Sequence, residues 1–175
     1  VSGDDAAAAA LNAGEWAVLT LCEEGPTHGF AIAHALAAGG PVGRVWTVPR
    51  PVVYRALRHL RELRLIEELG PQESPTGPPR TRVRVTAAGR AAVDAWLQEP
   101  VEHVRDARYL LLLKLLFLDR RRRDRTALVT AQTKVYASIE KQLRARRPAA
   151  EDFERTLVSW RLHSARAALA FLAEL

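Results

Sequence analysis

The chain has 175 residues, 48% of them hydrophobic, and a net charge of +6 at pH 7. That apolar content excludes wholesale disorder, and the length suffices for one large domain or two small ones. A lone cysteine, Cys22, excludes an intrachain disulfide and a cysteine-based zinc site, and no apolar run approaches the roughly 18–20 residues of a membrane span.

Residues 1–10, VSGDDAAAAA, lack a basic n-region and read as a frayed, disordered leader; with no membrane span, the expected location is the cytoplasm. Asn12 and Glu15 form a capping-box pair that opens a helix with Trp16, Leu19 and Cys22 at helical spacing, closed by Gly25-Pro26. Thr27 is predicted to cap a second helix, about His28 to Ala38, with Phe30, Ile32, Ala33 and Leu36 as its apolar positions. A loop through Arg44, Trp46 and Thr47 then leads to the stretch Pro49–Ile66, PRPVVYRALRHLRELRLI.

At about 100° per residue, Val53, Ala56, Leu57 and Leu60 share one helical face, and Pro51, Tyr54, Arg55, Arg58 and Glu62 the other. Pro51 suits the first turn, where its missing N–H has no partner to lose. An apolar back with a front of two arginines and a tyrosine fits an element lying in a DNA major groove. Three short helices with the third basic outside make a helix-turn-helix.

Beyond Ile66 the composition changes. PQESPTGPP reads as a loop, and RTRVRVT alternates strictly, with Arg80, Arg82 and Arg84 on one face and Thr81, Val83 and Val85 on the other. Two short strands around a loop make a wing, whose arginines suit the phosphate backbone or minor groove. Thr86 caps a further helix through Gly89, Val93, Trp96 and Leu97, which Pro100 ends.

Long helical segments follow. Asp106–Leu118 is leucine-rich on several sides, DRRRRD (119–124) reads as a solvated turn, and Thr126 to about Arg146 carries the stripe Leu128, Ala131, Val135, Ile139 and Leu143. After Pro148 a last helix carries two stripes. One is Phe153, Leu157, Trp160, Ala167, Phe171 and Leu175; the other is Val158, Leu162, Ala165, Leu169 and Leu172. Two apolar sides need two partners, and a second copy is the expected one. The fold class is therefore mostly α with a small β wing. Residues 11–99 form a winged helix-turn-helix domain and 100–175 a helical dimerisation domain.

The charge is localised. Residues 41–90 hold ten arginines, no lysine and four glutamates, a net of 10 − 4 = +6, which is the whole excess of the chain. The expected contacts to double-stranded DNA are Thr47, Arg50, Pro51, Tyr54, Arg55 and Arg58, with Arg80 and Arg82 from the wing.

The series GPTHGFAIA, VPRPVVYRALRHLRELRLIE and PPRTRVRVTAAGRAAVDAWL resembles the PadR family of bacterial winged-helix transcriptional regulators. Gly25, Pro26, Thr27, His28, Gly29 and Phe30 stand at the family's Gly-Pro-x-His-Gly-Tyr segment, with phenylalanine for tyrosine. Val53, Tyr54, Arg55, Ala56, Leu57 and Leu60 match its recognition helix, with arginine where proline is usual, and Thr86 to Gly89 match its threonine-x-x-glycine. The segment from Pro100 through RDARYLLLLKLLFL resembles the helical domain of the longer subgroup. The resemblance, covering about Leu11 to Leu175, implies a homodimeric repressor on an inverted-repeat operator. In some members a small, often aromatic effector enters between the two domains; Trp16, Trp96 and Tyr109 are the residues that could line such a pocket here. The alternative is a winged-helix protein–protein adaptor without DNA binding, which the localised charge disfavours. An enzyme is not expected: no phosphate loop, metal cluster, cofactor site or nucleophile–base pair stands out.

Overall fold

The computed structural model describes residues 11–74 and 77–175; the expected leader, residues 1–10, lies outside them. The chain divides into two compact units, one reaching Leu97 and the other spanning Gln98–Leu175.

The first unit is a winged helix-turn-helix. Helix α1 (Ala13–Glu23) opens with the expected capping box. Asn12 Oδ1 accepts from the Gly14 and Glu15 N–H groups at 2.9 and 3.1 Å, and Glu15 Oε2 accepts from Asn12 N–H at 2.9 Å. The other Glu15 oxygen lies 2.7 Å from His59 Nδ1, which ties α1 to α3 (Arg50–Glu62).

Thr27 does not cap helix α2 (Gly29–Ala35). Thr27 and His28 form a short strand, β1, so the helix starts later and His28 Nδ1 accepts from Ala31 N–H at 3.0 Å. The helix also stops short of Ala38. The Ala35 carbonyl accepts from Val42 and Gly43 N–H at 3.0 and 2.9 Å, folding the chain back on itself.

Helix α3 ends with Leu65 N–H donating to Leu60 O at 2.9 Å and with Arg64 left-handed at φ 57°, a position where glycine is usual. Strands β2 (Ile66–Ser74) and β3 (Gly77–Val85) follow, in an antiparallel sheet of order β1-β3-β2. The expected loop is therefore mostly strand, with Pro71 opposite Thr81 and Ser74 opposite Gly77. β2 is an edge strand, where alternate N–H positions face away from the ladder and proline is tolerated, and register shifts beside Gly70 and Ser74 absorb the irregularity. Val83 and Val85 are buried, as the alternation requires.

Thr86 and Gly89 fasten helix α4 (Ala87–Gln98) to the end of α3. The Thr86 hydroxyl donates to the Arg64 and Leu65 carbonyls at 2.9 and 3.1 Å and accepts from Gly89 N–H at 3.1 Å. A Cβ on Gly89 would stand 2.1 Å from Leu65 O, so no larger residue fits.

In the second unit a 3-10 turn (Val104–Asp106) and a π-helical turn (Ala107–Leu111) lead into α5 (Leu112–Arg120). Helices α6 (Thr126–Arg146) and α7 (Asp152–Ala173) pack on each other around Leu143, Val158, Leu162 and Ala165. Between α5 and α6, Arg122 is left-handed and Arg122–Asp124 are exposed, the expected solvated turn.

The α6 stripe differs from expectation. Ala131, Val135 and Ile139 are half-buried, and Gln132 and Tyr136 are buried instead. Gln132 tolerates burial because its side-chain amide pairs with both Val101 backbone groups, at 2.7 and 2.8 Å. Among the described residues no helix is long and apolar enough to cross a membrane.

Lys114 is 3% exposed, and its ammonium donates to the Glu99 carbonyl at 2.5 Å. Burial pushes the amine from 10.5 down to about 8, with the Glu99 carboxylate opposing. Between those two values the folded chain has lost a proton that the unfolded chain keeps, so stability rises with pH across this window. Urea titrations at stepped pH should show the parent gaining on Lys114→Met by on the order of 3 kcal/mol from pH 8 to 10.5. A constant difference between the two proteins would refute the buried, shifted amine.

Candidate nucleic-acid interface

The two faces of α3 have opposite environments. Val53, Ala56 and Leu60 are buried, while Arg50, Pro51, Tyr54, Arg55 and Arg58 are exposed. Pro51 lies in the first turn, as its chemistry demands. Just upstream, Thr47 is exposed, its hydroxyl donating to Gly43 O at 2.9 Å.

Beside this helix lies a groove of about 690 Å³, walled by α3 on one side and by the sheet on the other. It brings together Arg50, Tyr54, Arg58 and Arg80 of the expected residues. Thr47, Pro51, Arg55 and Arg82 lie outside its lining; Arg82 is half-buried on β3, opposite His28 and Gly70.

Phe30 and His28 also line the groove, and the sequence did not single them out for binding. Phe30, expected as an apolar position of α2, is 46% exposed and turned into the groove. The Arg80 guanidinium carbon lies 4.6 Å from its ring centre, and that of Arg50 lies 5.6 Å from both the Phe30 and Tyr54 rings. These cation–π contacts hold two long side chains in place without neutralising them. His28 is the other, with Nε2 3.4 Å from Arg80 Nη1. The signal for both was the GPTHGF segment; periodicity could not show that its aromatic turns away from the core. Gly29 makes the close approach possible, since a Cβ there would stand 2.8 Å from Tyr54 Cε1.

Charge pairing separates the arginines into two sets. Arg61 pairs with Glu68, Arg84 with Glu67 at 2.6 Å, and Arg90 with Glu23 at 3.3 Å. Among the described residues, Arg50, Arg55, Arg58, Arg80 and Arg82 have no carboxylate partner. The uncompensated charge thus faces outward from α3 and the neighbouring strand, a field suited to a polyanion.

Of the three aromatic residues singled out for an effector, Trp16 and Trp96 meet inside the first unit. Both are buried and stacked, with ring centres 5.0 Å apart and planes 7° from parallel. Tyr109 belongs to the second unit, where its hydroxyl donates to Asp106 Oδ1 at 3.0 Å; burial and that carboxylate push its phenol up.

Residues 18–95 match the model of the transcriptional regulator PadR-like family. Among solved structures the chain is similar to Bacillus subtilis PadR in its complex with operator DNA, at 20% identity over 91% of this chain and 96% of that one (TM-score 0.44). It is also similar to smu.1604c from Streptococcus mutans UA159, at 14% identity over 99% of this chain and 98% of that one (TM-score 0.42). No curated protein matches it.

Leu57, expected on the buried face, is only half-buried and lines the groove, whereas Leu60 is fully buried. Leu60→Ala should therefore cost about 2–5 kcal/mol in a denaturant melt, and Leu57→Ala less than about 2 kcal/mol. Equal losses would place Leu57 in the core after all.

Proposed function

We propose, from the match of residues 18–95 to the model of the transcriptional regulator PadR-like family, that the chain is a homodimeric, cytoplasmic repressor that binds an inverted-repeat operator. The observation that carries DNA binding is the set of five arginines on α3 and β3 left without carboxylate partners. An adaptor without DNA binding would have no use for that field. In this reading α3 enters the major groove, where Tyr54, Arg55 and Arg58 reach base edges, while Arg80 and Arg82 meet phosphates or the minor-groove edge. Thr47, Arg50 and Pro51 contact the backbone at the helix entrance.

Dimerisation is supported by α7. Val158, Leu162, Ala165 and Leu172 face inward, and the other stripe is open, with Phe153 76% and Trp160 72% exposed. Solvent-facing aromatics repeated along 22 helical residues fit a symmetric partner surface, and a two-fold pair matches a two-fold DNA site. The division into a DNA-binding unit and a dimerisation unit belongs to the same proposal. Release by a small aromatic effector is included on the family resemblance alone; at the Trp16–Trp96 stack such a molecule would have to push apart a pair of buried indoles.

Two measurements test this reading. On duplexes selected from a random pool, Arg58→Ala should lose about 1–3 kcal/mol of specific binding with an unchanged melting temperature. Arg82→Ala should weaken selected and unselected duplexes alike and flatten the log K against log salt slope by about one. Parent-like binding by Arg58→Ala at low and moderate salt would remove α3 as the reading helix.

Sedimentation tests the assembly. The parent should be a dimer at micromolar concentration, and Trp160→Glu a folded monomer, because a carboxylate would be buried without a partner. A variant that still sediments as a dimer would move the interface elsewhere.

A further inference from the structure

We propose that His28 and Arg80 form an oxyanion seat in the groove beside α3, occupied by a phosphate oxygen of the DNA backbone when the protein is bound. The source of the anion rests on the DNA-binding reading above; the seat itself rests on hydrogen-bond bookkeeping. His28 Nδ1 accepts from Ala31 N–H at 3.0 Å, so it carries no proton. A neutral imidazole with a bare Nδ1 carries its hydrogen on Nε2. That nitrogen lies 3.4 Å from Arg80 Nη1, whose hydrogens are also donors. A guanidinium has no acceptor to offer, so the two groups cannot bond each other. Two donors only 3.4 Å apart in a groove call for an acceptor that both can reach, and a negatively charged oxygen satisfies both.

The surroundings keep the pair in place. β1 holds His28 opposite Arg82 in the sheet, the cap bond fixes the ring, and Phe30 lies beneath the Arg80 guanidinium at 4.6 Å. Arg80 has no carboxylate partner among the described residues, so nothing acidic fills the place. His28 thus does two things: one nitrogen starts α2, and the other extends the phosphate-binding surface beyond the arginines.

The test uses the full chain. Long-range proton–nitrogen NMR of the imidazole should show the Nε2–H tautomer, and finding the Nδ1–H tautomer overturns the proposal outright. His28→Asn keeps a cap acceptor and removes the Nε2–H donor. On an unselected duplex it should bind roughly ten-fold more weakly with an unchanged salt slope, since no cation is lost. Arg80→Ala should weaken binding and reduce the slope by about one. The double variant should lose markedly less than the product of the two single losses, because both donors serve one oxygen. In parallel, inorganic phosphate should shift the His28 Nε2–H resonance of the parent. Coupled losses on the duplex support the DNA phosphate as occupant. A parent that binds no duplex but answers to inorganic phosphate keeps the seat for a free oxyanion and removes the DNA-binding reading. Independent losses together with no response to phosphate overturn the seat.

Discussion

The first unit depends on how the chain closes where α3 meets the end of the wing. One hydroxyl, that of Thr86, bridges the carbonyls of Arg64 and Leu65 and also caps α4, while the Thr86 N–H donates to Leu65 O at 3.0 Å. Because Gly89 has no Cβ, α4 can start almost in contact with that carbonyl. The C-terminus of α3 and the return of β3 are therefore fastened through a single residue. The same junction sets where the two walls of the groove meet. A threonine and a glycine three residues apart, weak as a motif, carry the geometry of the whole face.

Much of this was legible beforehand because it follows from local chemistry. The Asn12–Glu15 box, Pro51 in the first turn of α3, the buried Val83 and Val85, and the two-sided last helix each express a rule acting within a few residues. What was not legible depends on partners distant in sequence. Thr27 is a good cap by type, but pairing with Val83 draws it into a strand and passes the cap to His28. The proline-rich stretch reads as loop by composition, yet Pro71 lies on the edge strand β2, and Pro78 and Pro79 lie on β3 beyond the reach of β1, which pairs only with Arg82 and Val83. Gln132 breaks an apolar stripe only until Val101, 31 residues away, supplies both halves of its hydrogen-bond partnership.

The candidate site shows the same division. Its arginines could be found by counting charge along the sequence. Which of them remain unpaired could not, because Glu67, Glu68 and Glu23 choose their partners in space. Nor could the position of Phe30. An aromatic in an amphipathic pattern is assigned to the core by default, and here it instead supports two guanidinium groups in the open. Leu57 is the converse case, placed by phase on the buried face but reached by the groove.

One consequence concerns reversible modification. Lysine occurs only at Lys114, Lys134 and Lys141, all in the second unit, and Lys114 is buried. Acylation of side-chain amines therefore has only Lys134 and Lys141 as exposed targets and nothing to act on in the winged unit. The positive field of that unit is built from guanidinium groups, which stay charged at any physiological pH and keep their charge even when methylated. Acetyl transfer to lysine, a common means of loosening a basic surface, therefore has no side chain to act on in this one.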